Sequence, residues 1–487
     1  MAFLINPNLQ VVKSNSSNTL FFFSLIFSLT GCQSGANQAD ETIPKPNIIL
    51  LMADDHGWGD TGYNGNDTIL TPHLDRMAGS GIHFNRFYAA APVCSPTRGS
   101  CITGRHPYRY GIYTANAGMM KPEEITLAEA VKTKGYRTGH FGKWHLGTLT
   151  NDTIDANRGG RKPDVYSPPW DNGFDVCFST ESKVPTWDPM VTPSKEALDV
   201  GNRTPGDHFG TFYWTGPGQI ETDNLEGDDS RVIMDRAIPF VKESVESEEP
   251  FLAVIWFHTP HLPVLTGEKY RNMYPGMSED IQHYYGCITA MDEQIGRLLT
   301  TLEELGADEN TLIFYTSDNG PEGAKRIART QGSTKGLRGR KRSLYEGGVR
   351  VPGIMYWPER ITQSSKVDLP VSTSDYYPTI LDILDIEMPN QPMVDGISLV
   401  PLLEGKMDTR PTPIGFQFKD QLSWVEGKYK LYSPDQGESW ELYDIEADPG
   451  ETLDISMENE TIVSRLRSDL LQWVESCEKS DQGLDYK

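Results

Sequence analysis

The chain has 487 residues and carries 44 Lys and Arg against 68 Asp and Glu, a formal net charge of −24. Its length can bury a sizeable core, and at about 150 residues per domain it has room for one large unit and a smaller one. The acidic balance excludes nucleic-acid binding through bulk charge, a 10% aromatic content excludes a disordered chain, and six cysteines are too few for a disulfide scaffold.

In chain order, the first feature is the apolar run LFFFSLIFSLT at 20–30. It is shorter than the ~20 residues a membrane-spanning helix needs. With Lys13 before it and small residues after it, it reads as the apolar region of a secretory signal. Leu29-Thr30-Gly31-Cys32 resembles the bacterial lipobox, which implies a lipoprotein signal peptide at 1–31 and acyl chains on Cys32. Such chains anchor a protein to a membrane without a spanning helix, here in the bacterial cell envelope. Residues 32–45 are polar and read as a tether.

Residues 47–53 (NIILLMA) form an apolar run that ends in a charged loop, the pattern of a buried parallel strand. Residues 251–257, 311–316 and 353–357 repeat it. Between them, Ile281, Tyr284, Tyr285, Ile288, Met291, Ile295, Leu298 and Leu302 recur at three and four, which predicts a helix over 278–305. Residues 150–230 are rich in Pro, Gly, Asp and Trp and read as long loops, with Trp170, Trp187, His208 and Trp214 as candidates for stacking on sugar rings. Residues 413–418, 424–425 and 429–432 read as short antiparallel strands, and 462–477 as an amphipathic helix. The expected organisation is a catalytic α/β unit at 46–408, with a mainly parallel central sheet flanked by helices, and a C-terminal α+β subdomain at 409–487.

Two strand ends carry oxygen ligands. Asp54-Asp55 directly follows the first strand, and Ser317-Asp318-Asn319-Gly320 follows the 311–316 strand. Adjacent carboxylates repel unless a cation lies between them, and the carboxyl ends of parallel strands are where open α/β sheets bind ligands. Each motif alone reads equally well or better as a solvated acidic turn or an Asx turn. If the two ends meet, they offer only oxygen donors, which suit Ca²⁺ or Mg²⁺ rather than Zn²⁺.

Between these strands stands Cys94-Ser95-Pro96-Thr97-Arg98, followed by Thr103-Gly104-Arg105. C-x-P-x-R with a following T-G-R resembles the signature of the type I, formylglycine-dependent sulfatases of the alkaline-phosphatase-like superfamily. Gly142-Lys143-Trp144-His145-Leu146-Gly147, Thr259-Pro260-His261-Leu262-Pro263, Lys341 with Glu346-Gly347-Gly348-Val349-Arg350-Val351-Pro352, and Glu441-Leu442-Tyr443-Asp444 resemble further blocks of that family. The resemblance runs from about residue 46 to 480.

The resemblance implies that a maturation enzyme oxidises Cys94 to formylglycine (3-oxoalanine). One hydroxyl of its hydrate attacks sulfur, and the other later expels sulfate. It implies a Ca²⁺ held by Asp54, Asp55, Asp318, Asn319 and the residue-94 oxygen. Arg98 would hold the hydrate, Lys143 and Lys341 would bind sulfate oxygens, His261 would protonate the leaving alkoxide, and His145 would accept the proton of the second hydroxyl. The implied substrate is a sulfated oligo- or polysaccharide, with an algal cell-wall polysaccharide as the narrower expectation. The alternatives are a phosphonate or phosphate monoester hydrolase of the same superfamily and an inactive glycan-binding lipoprotein. Lys335 to Arg342 holds five positive charges in eight residues; Arg338, Arg340 and Arg342 read as an anion-attracting rim around Lys341.

Overall fold

The run Asn47–Ala53 is the strand around which the molecule is built in the computed structural model, which describes residues 45–486. The signal peptide at 1–31, Cys32 and all but the last residue of the tether lie outside the described residues. Ile48, Leu50 and Met52 enter one buried layer, and Ile49, Leu51 and Ala53 the other. Because both faces are covered, the strand has no polar alternation. It pairs in parallel with Phe251–Trp256 on one side and Thr311–Ser317 on the other. Arg137–Lys143 and Val176–Thr180 extend the parallel set beyond Phe251–Trp256.

The full ten-stranded sheet runs Ser365–Val367, Ile82–Phe84, Gly353–Tyr356, Thr311–Ser317, Asn47–Ala53, Phe251–Trp256, Arg137–Lys143, Val176–Thr180, Trp214–Gly216, Gln219–Ile220. Gly353–Tyr356 is antiparallel to both neighbours, although its apolar run matches those of the parallel strands. The chain reaches it from Thr311–Ser317 through loop and a single helical turn, Glu346–Val349, without the crossover helix that usually joins parallel neighbours. Arg137–Lys143 (RTGHFGK) and Val176–Thr180 are strands that apolar patterning misses: the first holds two glycines and four polar residues, and the second lies in the Pro/Gly-rich stretch read as loop.

Helix Glu279–Glu304 starts where the Ser278 side chain accepts a hydrogen bond from the Ile281 amide, the expected N-cap chemistry. Its apolar face and helix Asp229–Glu246 cover the Ile49 layer. Under the opposite layer, helix Cys94–Thr103 is buried at all ten positions, which is why it shows no amphipathic pattern. Ile414–Phe418, Gln421–Glu426, Tyr429–Ser433 and Glu441–Asp444 form a separate four-stranded antiparallel sheet. Helix Glu460–Asp481 packs Leu466 and Leu470 against its Trp424, Leu431 and Leu442. Lys430, buried in this sheet, bonds Glu346 at 2.9 Å and Glu451 at 3.0 Å. A buried cation with two buried carboxylates fixes orientation strongly, because removing any one leaves an uncompensated charge. The architecture is thus a mainly parallel α/β sheet with helices on both faces, plus a small antiparallel sheet and helix.

Candidate active site

All five central parallel strands deliver polar side chains to the same edge. Asp54-Asp55 follows Asn47–Ala53, Asp318-Asn319 follows Thr311–Ser317, Lys143 ends its strand, His261 lies five residues beyond Trp256, and Lys183 three beyond Thr180. Backbone bonds fix the first two turns to each other. The Asp318 amide donates to the Ala53 carbonyl at 3.2 Å, and the Asp55 amide to Asp318 Oδ1 at 3.2 Å. Asp55 is left-handed, with φ 65°, and an oxygen of each of the two adjacent carboxylates lies within 4.8 Å of the other and of a His261 ring nitrogen. The Lys341 loop docks on the same floor through glycine: the Gly320 amide donates to the Gly348 carbonyl at 2.9 Å, and a Cβ on Gly320 would lie 2.0 Å from the Gly347 oxygen. That contact explains why both turns carry glycine there.

Cys94 occupies the first turn of the buried helix Cys94–Thr103, where Thr97 Oγ1 donates to the Ala91 carbonyl at 2.9 Å and ties the turn down. One turn on, Arg98 donates to Asp318 Oδ2 from Nε at 3.0 Å and Nη2 at 2.6 Å, and to the Lys143 carbonyl at 3.0 Å. Lys143 Nζ donates to Asp54 Oδ2 at 2.6 Å, and Lys341 Nζ to Asp55 Oδ1 at 2.5 Å. Three buried carboxylates are therefore matched by three buried cations. Burial pushes Asp318 up to about 7, with Asp54 adding to the rise and Arg98 opposing it. Burial also works against the Lys341 charge, but Asp55, Cys94 and Asp54 hold its ammonium above the ordinary lysine range. The Cys94 thiol is pushed up by burial, so as cysteine it is a poor nucleophile.

The carboxyl groups are nevertheless incompletely satisfied. Asp54 Oδ1, Asp55 Oδ2 and Asn319 Oδ1 are buried without a hydrogen-bond partner, a costly state for polar atoms. Ligand atoms of Asp54, Cys94 and Asp318 lie within 4.8 Å of one another. Orphaned oxygens on adjacent turns, with crowded carboxylates behind them, fit a hard divalent cation such as Ca²⁺. Such an ion would also tip the balanced network to a net positive charge facing the cavity.

The histidines divide. His261 donates from Nδ1 to the Leu262 carbonyl at 2.6 Å, so Nε2 faces Asp55 Oδ2 at 3.7 Å. Burial pulls its pKa well down, while Asp54 opposes. His145, left-handed at φ 61°, bonds Asn116 Oδ1 through Nε2 at 2.9 Å and leaves Nδ1 buried and unpartnered. Burial, then Lys143, keep it neutral. His258 is spanned between Asp229 and Thr180, each at 2.8 Å, and His56 between Tyr315 and the Asp60 carbonyl; both are framework residues.

Cys94, Lys143, His145, His261 and Lys341 line one cavity of about 300 Å³, and Asp54, Asp55, Arg98, Asp318 and Asn319 lie beneath it. Sequence patterning missed several other lining residues: Asn116, Asn157, Lys183, Asp199, Glu322 and Lys419. They come from loops and from the tip of the first C-terminal hairpin, and none belongs to a recognisable motif. Lys183 pairs with Asp199; burial, then the charge of Lys143, draw it down to about 8. The expected arginine rim is corrected. Only Arg342 of the three arginines lines the cavity. Arg340 donates to the carbonyls of Gly323, Gly332 and Glu322, and Arg338 stacks on Tyr345 and bonds the Tyr443 hydroxyl at 2.8 Å. Left-handed glycines at 336 and 339 turn the loop, so successive side chains leave in different directions. Trp170, Trp187, His208 and Trp214 do not line the cavity; Trp214 is a buried residue whose indole bonds Asp155 at 2.9 Å. Cys101, Cys177, Cys287 and Cys477 are buried free thiols, and Cys94 and Cys101 form no disulfide.

Comparison with known proteins gives a consistent set of relatives. The Sulfatase family pattern matches residues 46–386, and the pattern described as N-sulphoglucosamine sulphohydrolase, C-terminal, matches 339–476. The chain is 32% identical over 437 residues to N-acetylgalactosamine-6-sulfatase of Canis lupus familiaris, covering 86% of this chain and 77% of that one. It is 30% identical over 444 residues to steryl-sulfatase of Homo sapiens, covering 79% and 73%. Its fold superposes on the crystal structure of Ps i-CgsB in complex with k-i-k-neocarrahexaose with a TM-score of 0.73 at 25% identity, covering 91% of this chain and 96% of that one.

Proposed function

Because the chain belongs to the sulfatase family and is a sulfuric ester hydrolase, we propose that it removes sulfate from a sulfated glycan using formylglycine at position 94 and a bound Ca²⁺. The observation that carries this reading is the meeting, at one sheet edge, of Cys94, three orphaned oxygens of Asp54, Asp55 and Asn319, and the buried cations Arg98, Lys143 and Lys341. Formylglycine, as its hydrate, supplies an oxygen nucleophile with a second hydroxyl for release. Asp54, Asp55, Asp318 and Asn319 would hold the Ca²⁺, which would lower the pKa of a bound hydroxyl and neutralise anionic charge.

The chain's own groups do the rest. Lys143 and Lys341 point ammonium groups into the cavity and are held by the buried carboxylates, so they meet sulfate oxygens without reorganising. Arg98, locked on Asp318 and on the Lys143 backbone, fixes the position of residue 94 relative to the metal ligands. His261 presents Nε2 to the cavity because Nδ1–H is committed to Leu262; it would give a proton to the departing alkoxide from Nε2 in its doubly protonated form, which burial opposes and the Asp54 charge favours. His145, neutral and with Nδ1 unpartnered, accepts a proton on the residue-94 side.

A glycan fits the cavity better than a sterol. Its walls carry Asn116, Asn157, Ser182 and five cationic side chains, with Val93, Ala115 and Phe418 among the few apolar contacts. The relatives named for N-acetylgalactosamine 6-sulfate and the oligosaccharide in the Ps i-CgsB complex support a saccharide. The algal cell-wall polysaccharide is the narrower proposal. The test is sulfate release from a panel of algal and glycosaminoglycan oligosaccharides, after mass spectrometry establishes the state of residue 94. No release from any of them would defeat the glycan reading, and preferential turnover of phosphate analogues would favour a phosphate or phosphonate monoester hydrolase. The proposal extends to a lipid anchor at Cys32, supported by the lipobox-like Leu29-Thr30-Gly31-Cys32. A cell-envelope protein that takes up no fatty-acid label would refute it.

A further inference from the structure

Beneath the cavity every charge is spoken for. Asp54 takes Lys143, Asp55 takes Lys341, and Asp318 takes Arg98. The wall is different. It adds three cations, Lys183, Arg342 and Lys419, and two carboxylates, Asp199 and Glu322. Glu322 binds Arg342 with two bonds of 2.7 and 3.0 Å and also reaches Lys341 at 3.5 Å. Asp199 pairs with Lys183 but is half-exposed, and Lys183 is the more buried partner at 19% side-chain exposure. Lys419 has no ion pair among the described residues. Its place is nonetheless well defined: it stands at the turn between Ile414–Phe418 and Gln421–Glu426, its amide bonds the Tyr108 hydroxyl at 3.0 Å, and its ammonium lies over the Phe418 ring at 5.5 Å.

A substrate whose only charge is the scissile sulfate is fully served by Lys143, Lys341 and the metal. It gives no reason for further cations on the wall of a chain with net charge −24. Resting on the glycan sulfatase reading above, we propose that Lys183 and Lys419 select a substrate bearing a second anionic group, a carboxylate or a second sulfate, beside the sulfate that is cleaved. Lys183 reaches the cavity from the end of a sheet strand, and Lys419 reaches it from the C-terminal sheet, so the two grip the substrate from different parts of the fold. Lys419 is free to form a charge-assisted bond. Lys183 exchanges a half-exposed carboxylate for the substrate's anion, and both contacts are of the strong, charge-assisted kind. Asn116, Asn157 and Ser182, already linked by bonds of 3.0 and 3.4 Å, supply neutral polar contacts alongside.

The test compares three probes on the mature, full-length enzyme: N-acetylgalactosamine 6-sulfate, the same sugar with a second sulfate, and a disaccharide joining the 6-sulfated sugar to a uronic acid. The wild type is expected to show a KM at least about tenfold lower for one doubly anionic probe than for the singly charged one. Lys183→Gln and Lys419→Asn should each erase most of that preference; asparagine tolerates the left-handed turn at 419 (φ 53°). The probe that loses its advantage identifies the anion as sulfate or carboxylate. Two results overturn the proposal: a wild type with no preference between singly and doubly charged probes, or variants whose KM rises equally for both. If only members of the algal and glycosaminoglycan panel release sulfate, the three probes are rebuilt on the sugar that is cleaved; if neither the probes nor the panel release any, the glycan reading beneath it falls instead, and hydrolysis of 4-nitrophenyl sulfate separates that outcome from an inactive preparation.

Discussion

The floor of the cavity and its wall are built on opposite principles. On the floor, Asp54, Asp55, Asp318, Arg98, Lys143 and Lys341 sit on strand ends, a buried helix and a glycine-docked loop, and they hold each other at 2.5 to 3.5 Å. The wall draws Lys183, Asp199, Glu322, Arg342 and Lys419 from separate loops and a hairpin tip, where most side chains meet solvent. A rigid floor can be complementary to one transition state, and loops on such a scaffold vary without disturbing it. The floor should therefore carry the reaction and the wall the choice of substrate. Substitutions can break that division if floor changes act mainly on KM or wall changes mainly on kcat.

The largest effect is expected at Cys94. Cys94→Ala removes the side chain whose formylglycine hydrate would supply the nucleophile, and kcat should fall by at least about 10⁴-fold. The measurement is sulfate release under saturating substrate, with folding checked by thermal unfolding. Turnover that survives the change would defeat both the covalent mechanism and the assignment of the floor as the reacting surface.

Metal removal comes next. Chelation and buffer exchange should lower kcat by about 10²–10³-fold, restored by Ca²⁺ and not by Zn²⁺, because the donor set is oxygen only. If an ion is what satisfies Asp54 Oδ1, Asp55 Oδ2 and Asn319 Oδ1, which have no hydrogen-bond partner in the protein itself, the unfolding midpoint should fall in parallel. At 100 times its dissociation constant a bound ion adds about 2.7 kcal/mol of stability. A metal-free protein, verified by elemental analysis, that keeps full activity and the same midpoint would show that the orphaned oxygens serve something else.

His261→Ala tests how the floor handles the leaving group. A sugar alkoxide needs a proton far more than a nitrophenolate does. The loss should be about 10²–10³-fold on a glycan sulfate and distinctly smaller on 4-nitrophenyl sulfate. Equal losses on both would make His261 a structural residue.

The same contrast explains which parts were legible in the sequence. Asn47–Ala53 and Glu279–Glu304 are read from apolar patterning because tertiary burial follows the local period there. Asp54, Asp318 and Cys94 are conspicuous because their chemistry sits on regular elements at fixed spacing. Lys143 is visible only through its motif, since RTGHFGK has no strand-like pattern. Lys183 and Lys419 carry no local signal at all. They are 236 residues apart (419 − 183), and only the docking of the C-terminal sheet, through Lys430, Glu346 and Glu451, brings the second to the first.

The basic run 335–342 contains both behaviours within three residues, and it provides the smallest predicted effect. Arg340 holds three backbone carbonyls, so Arg340→Ser strands buried acceptors and should cost about 1–3 kcal/mol of stability with little change in KM. Arg342→Ser removes a half-exposed partner of Glu322, an interaction of surface type whose worth is at most about 1 kcal/mol. Burial pushes Glu322 up, but Arg342 first and Lys341 next hold it down to about 2; without Arg342 its pKa rises and its remaining charged partner is Lys341, 3.5 Å away. The expected outcome is a drop of about two- to fivefold in kcat/KM with an unchanged unfolding midpoint. A loss as large as that of a floor residue would mean that Arg342 contacts the sulfate itself, and the boundary between floor and wall would then run through this loop rather than beside Lys341.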